Sequence, residues 1–72
     1  MSKNKLQIGQ RFLEAEKEKL RAEIENARAK IELYVSNPLA VADHSEIGEE
    51  IRKAAAQGSQ ARDLLLFLEK SS

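Results

Sequence analysis

Two stretches of this chain each carry an unbroken apolar repeat of seven residues, and Asn37-Pro38 separates them. In the first, Leu6, Leu13, Leu20, Ala27 and Tyr34 recur every seventh residue, with Ile24 and Ile31 interleaved. In the second, Ile47, Ile51, Ala54, Gly58, Ala61, Leu65 and Leu68 alternate steps of four and three. Helices that meet along a seam show this spacing, because 3.5 residues per turn keeps one stripe facing its neighbour. The pattern predicts an all-α fold: an antiparallel, coiled-coil-like hairpin of two helices.

The boundaries follow from local chemistry. The segment from Glu14 to Glu32 is rich in Glu, Lys, Ala, Leu and Arg, all strong helix formers. Gly9 weakens the first turns by about 1 kcal/mol relative to alanine, so fraying is expected there and helix 1 is placed at about 6–35. Pairs spaced i,i+4, such as Lys19-Glu23, Arg21-Glu25 and Arg28-Glu32, are expected to add a few tenths of a kcal/mol each. Pro38 cannot continue a helix and pushes Asn37 out of helical angles. Residues 36–44 form an elbow whose apolar part, Leu39-Ala40-Val41-Ala42, is expected to fold back near Tyr34 and Ile47. Asp43 or Ser45 can cap the next helix, with Glu46 bonding back to Asp43. Helix 2 is placed at about 45–70, with Ser71-Ser72 disordered, and the whole of 1–72 is read as one domain.

Antiparallel pairing lays the seams against each other in layers. Tyr34 is expected to face Ile47, Ile31 to face Ile51, Ala27 to face Ala54 and Ile24 to face Gly58. Leu20 then meets Ala61, Lys17 meets Leu65 and Leu13 meets Leu68. Lys17 is the awkward layer, and its ammonium is expected to reach water along its own stem.

Size limits what the hairpin does alone. A chain of 72 residues buries too little surface for comfortable stability. With no cysteine it has neither a disulfide nor a thiolate metal site, so association is the remaining support. Leu64, Leu66 and Phe67 fall off the seam of helix 2, and Ile8 and Phe12 fall off the seam of helix 1 at the same end. Five large apolar side chains together are unusual on a monomer. They are expected to form a homo-oligomer interface, most simply a homodimer in which two hairpins build a four-helix bundle.

The charge balance is even, with 12 basic and 12 acidic residues. Whole-chain attraction to nucleic acid or anionic lipid is therefore not expected. No apolar run approaches the roughly 20 residues that span a bilayer, and the polar start Met1-Ser2-Lys3-Asn4-Lys5 lacks a secretory leader's apolar stretch. A cytoplasmic protein is expected. No set of nucleophile, base and orienting group is present, and no glycine-rich phosphate loop, so neither an enzyme nor a cofactor is expected. Asp43, His44 and Glu46 are a thin set of metal ligands at a spacing that matches no zinc pattern. Their ordinary reading is a cap, a solvated or elbow-packing imidazole and a capping-box partner.

The tip, with Leu39, Val41, Asp43, His44 and Glu46, is the second candidate contact surface, for an unidentified protein partner. Its acidic residues, Asp43, Glu46, Glu49 and Glu50, are loosely similar to the coiled-coil tips of regulators that enter the secondary channel of RNA polymerase. The hairpin resembles Rop-type plasmid copy-number regulators in architecture. The stretch Tyr34-Val35-Ser36-Asn37-Pro38-Leu39-Ala40-Val41-Ala42-Asp43-His44 resembles the turn of small helical-hairpin proteins of marine bacteriophages. That resemblance implies the hairpin layout and no activity, and a viral origin would place the protein in the cytoplasm of an infected cell. The function expected is that of a small non-enzymatic interaction or adaptor protein. The alternative is a regulator of nucleic acid or transcription working through a basic helix face or the acidic tip.

Overall fold

In the computed structural model, residues 2–37, 39 and 46–71 are described, with side chains from residue 7 onward. Among the described residues there are two α-helices, α1 (Ser2–Ser36) and α2 (Ile47–Ser71). They pack along one another as an all-α antiparallel hairpin measuring 57 × 18 × 15 Å.

α1 begins at Ser2, four residues before the expected start. Gly9 costs propensity but leaves the backbone hydrogen-bond ladder intact, and extending an existing helix needs no new nucleus. At the other end the break falls where Pro38 requires it. The Asn37 amide donates to the Leu33 carbonyl at 2.8 Å, and the Ser36 hydroxyl donates to the Glu32 carbonyl at 2.7 Å. α2 starts at Ile47 rather than about 45, with Glu49 and Glu50 in its first turn, where the helix dipole favours carboxylates. It carries on through Ser71, which was expected to be disordered. The Ser71 hydroxyl instead donates to the Phe67 carbonyl at 2.9 Å and ties down the last turn.

The seam lies where the repeats put it. Leu20, Ala27, Ala54 and Ala61 are buried, and Leu13, Ile24, Ile31, Tyr34, Ile47, Ile51, Gly58, Leu65 and Leu68 are half-buried. Outside the two repeats and Lys17, Glu50 is the one residue with a described side chain that is not exposed.

The layers differ from the expected ones by about one helical turn. A Cβ placed on Gly58 would lie 3.0 Å from the Ala27 methyl, so Ala27 faces Gly58 rather than Ala54. Lys30 and Tyr34 share a groove with Glu50 and Lys53, which fits the same offset. The slip sets the smallest pair on the seam against each other, and the backbones approach most closely there. It carries Ile24 off Gly58 and towards Ala61, and it moves the neighbouring layers in step.

Two consequences follow. First, α2 ends early. Ser71 lies thirteen residues beyond Gly58, so α2 stops level with Glu14 and residues 2–13 of α1 project past it. That overhang is about 18 Å long at 1.5 Å per residue. Secondly, Lys17 sits one turn nearer the C-terminus of α2 than expected, and it is buried rather than reaching water, at 7 % exposure. Its ammonium lies 3.3 Å from a Glu14 carboxylate oxygen. Desolvating an ammonium is costly even when it is paired. Lys17→Met is therefore expected to leave stability unchanged or raise it by about 1 kcal/mol, read as the urea midpoint by circular dichroism. A loss of that size would show that the ion pair itself is structural.

The surface ion pairs are also spaced differently from the expectation. Lys19 pairs with Glu16 at 3.4 Å and Arg28 with Glu25 at 3.2 Å, both i,i+3 rather than i,i+4. Side chains on a helix lean toward its N-terminus, so a cation reaches back to the turn before it. Arg21 leaves its own helix and meets Glu69 of α2 at 3.5 Å, where an i,i+4 partner in Glu25 was expected. Both partners are about half exposed, so a double-mutant cycle should give a coupling of roughly 0.2–1 kcal/mol that fades with added salt. A coupling of zero at low salt would mean that this pair does not help to hold the offset.

Candidate functional site

The hairpin has two broad faces, each with an open groove between the helices. One groove, of about 440 Å3, is lined by Glu23, Asn26, Lys30, Gln57, Gln60 and Leu64. The other is lined by Ile24, Arg28, Ile31, Ala55, Ser59 and Arg62. Neither is an enclosed pocket. The first is polar along most of its length and ends in apolar surface at Leu64.

Helical spacing sorts the remaining apolar residues between these faces. Phe67 lies one heptad beyond Gln60, and Phe12 lies two heptads before Asn26, so both share the first face with Leu64. Leu66 lies one heptad beyond Ser59 and falls on the second face. Ile8 lies on the overhang, next to Phe12 in a strip with Arg11 and Ala15. All five residues singled out from the sequence are thus at the open end, and all are about half exposed or more. Phe12 and Phe67 are each 70 % exposed. The structure therefore brings Phe12, Leu64 and Phe67 onto one face and separates Leu66 from them.

The tip divides differently. Val41, Asp43 and His44 lie outside the described residues, as do the expected capping roles of Asp43 and Ser45. Leu39 is described and does not fold back onto the seam. It is 73 % exposed, and Tyr34 and Ile47 are half-buried between the helices without it. Glu46 is exposed in the turn leading into α2. Close by, Lys53 Nζ donates to a Glu50 carboxylate oxygen at 3.3 Å. This hydrogen bond, with the charge of the same carboxylate, raises the Lys53 pKa above its usual 10.5. Its contribution is present below that value and is lost as pH rises through the raised pKa, so it adds no pH dependence near neutrality.

Two features were missed in the sequence. Leu33 and Val35 are also exposed, near the tip end of α1. The overhang is the second: residues 1–13 carry Lys3, Lys5 and Arg11 and no carboxylate, and nothing acidic occupies the first turn of α1. The length difference between the repeats was the available signal for it.

Among the described residues no helix is long and apolar enough to cross a membrane. The geometry defines the class as a two-helix antiparallel hairpin with an apolar open end. No family model, curated protein or solved structure matches the chain.

Proposed function

We propose that this hairpin is a small non-enzymatic interaction or adaptor protein that works as a homodimer joined at its open end. The observation carrying the reading is that Ile8, Phe12, Leu64, Leu66 and Phe67, all toward the open end, are each about half exposed or more on a single chain. The total surface supports it. The chain exposes 5869 Å2, whereas a compact 8.1 kDa monomer exposes about 4,500 Å2 by size scaling. The excess, about 1,400 Å2, exceeds the roughly 800 Å2 per partner of a standard interface. Joined at the open end, the protein keeps both tips free to present Leu39 and Glu46 to another macromolecule.

Sedimentation equilibrium tests the association. A dimer with a dissociation constant in the micromolar range is expected. A constant weaker than about 1 mM, or about −4 kcal/mol, overturns the reading. Retention of generic RNA or DNA in a salt-dependent mobility shift would favour the nucleic-acid regulator instead.

A further inference from the structure

The open end has a direction built into it, and this narrows how two copies meet. We infer that the second copy docks antiparallel on the face carrying Phe12, Leu64 and Phe67, each overhang lying along the partner's α1 from Glu14 to Glu25. The inference rests on the self-association reading above and names its face and orientation.

The face follows from spacing. Leu64 lines the first groove, and by heptad spacing Phe12 and Phe67 fall on that side, whereas Leu66 falls on the other. At the open end this sets three large apolar side chains on one side of the hairpin against Leu66 alone on the other.

The orientation follows from charge and from the overhang. Residues 1–13 hold Lys3, Lys5 and Arg11 and no acid, whereas residues 14–25 hold five carboxylates against three cations. Parallel docking sets two basic overhangs side by side. Antiparallel docking sets each against the acidic stretch of the other, and like charges are separated. Laying residues 2–13 over 14–25 puts the two-fold axis level with Leu13 and Glu14. Phe12 then lies beside the axis close to its own mate, and Phe67, level with residue 18, comes opposite the partner's Ile8. The overhang, which lacks an α2 segment beside it, gains a neighbouring helix. Overlap of residues 2–25 runs for about 36 Å at 1.5 Å per residue. The overhang is one helix wide, about 10 Å, so the overlap covers roughly 360 Å2 per copy, less than half the standard 800 Å2.

Two measurements on the full chain test this. Sedimentation compares the wild type with Phe67→Ser and Leu66→Ser. Both residues are exposed on the single chain, so each variant retains its helix content. Phe67→Ser is expected to weaken the dimer at least tenfold and Leu66→Ser to change it less than threefold. The chain has no cysteine, so a nitroxide on Ala56→Cys reports one distance between copies. Antiparallel docking about Leu13 and Glu14 separates the two labels by about 45 Å at 1.5 Å per residue. Parallel docking of helices packed 8–10 Å apart brings them within about 30 Å. A wild type that stays monomeric overturns self-association altogether. A dimer that loses affinity in Leu66→Ser and keeps it in Phe67→Ser overturns the face while leaving self-association standing, and a distance within about 30 Å overturns the orientation in the same limited way.

Discussion

Gly58→Leu is expected to cost about 1–3 kcal/mol, which for a hairpin of this size approaches its whole margin. A Cβ alone at residue 58 meets the Ala27 methyl at 3.0 Å, tighter than ordinary van der Waals contact. Ala27 is buried and has no rotamer to yield, so the helices must part. Parting them loosens Ala54 and Ala61, buried one turn to either side. Gly58→Ala is the informative contrast. It gains about 0.8–1.0 kcal/mol of helix propensity and pays back part of that in a separation of a few tenths of an ångström. The expected result is a Gly58→Ala variant near wild type and a Gly58→Leu variant far below it, in urea melts followed by circular dichroism. Ala27→Gly combined with Gly58→Ala should recover the lost contact space, and its coupling should be favourable. If Gly58→Leu melts like the wild type, the Ala27–Gly58 contact does not set the register.

That contact also explains what the sequence revealed and what it hid. The seven-residue repeats named every apolar position that is not exposed among the described side chains, because a residue's place on the helix circumference depends only on its number. Leu20 and Ala61 are buried wherever the partner helix happens to slide. The slide itself carries no such signature. Moving α2 by one turn replaces Ala54 with Gly58 opposite Ala27 and keeps the same stripe of each helix facing the other, while Leu13 passes beyond the end of α2. Large-on-small packing, Ile24 against Gly58, was a reasonable rule for choosing among these offsets, and the close approach of two small residues prevailed over it. Lys17 was misjudged for the same reason, since its burial depends on what lies across from it. The open end was legible as surplus apolar residues but not as a surface. Separating Leu66 from Phe67 needed both grooves, and the projecting overhang needed the offset. The tip was legible only in composition, with Leu39 now exposed rather than tucked in.

Leu20→Ala is expected to lower stability by about 2–3 kcal/mol, at the low end of the range for a buried leucine because part of the cavity opens to water. Leu20 is the largest apolar side chain buried between the helices, at 8 % exposure. The other buried apolar residues among those described are alanines, and the longer seam side chains around it, Ile24 and Leu65, are only half-buried. Phe12→Ala removes more apolar surface and should do something different. Phe12 is 70 % exposed on the single chain, so its loss costs the monomer little, and its effect appears only through association. The two are separated by the concentration dependence of the melting temperature, since a dimer that unfolds to monomers melts higher as protein concentration rises. Leu20→Ala should lower Tm at every concentration and keep the slope, because the hairpin is weakened while the docking surface remains. Phe12→Ala should flatten the slope and converge with the wild type at high dilution, where both are monomers. A Phe12→Ala variant with the wild-type slope would show that this phenylalanine does not touch a second copy. The open end would then be a surface for some other protein.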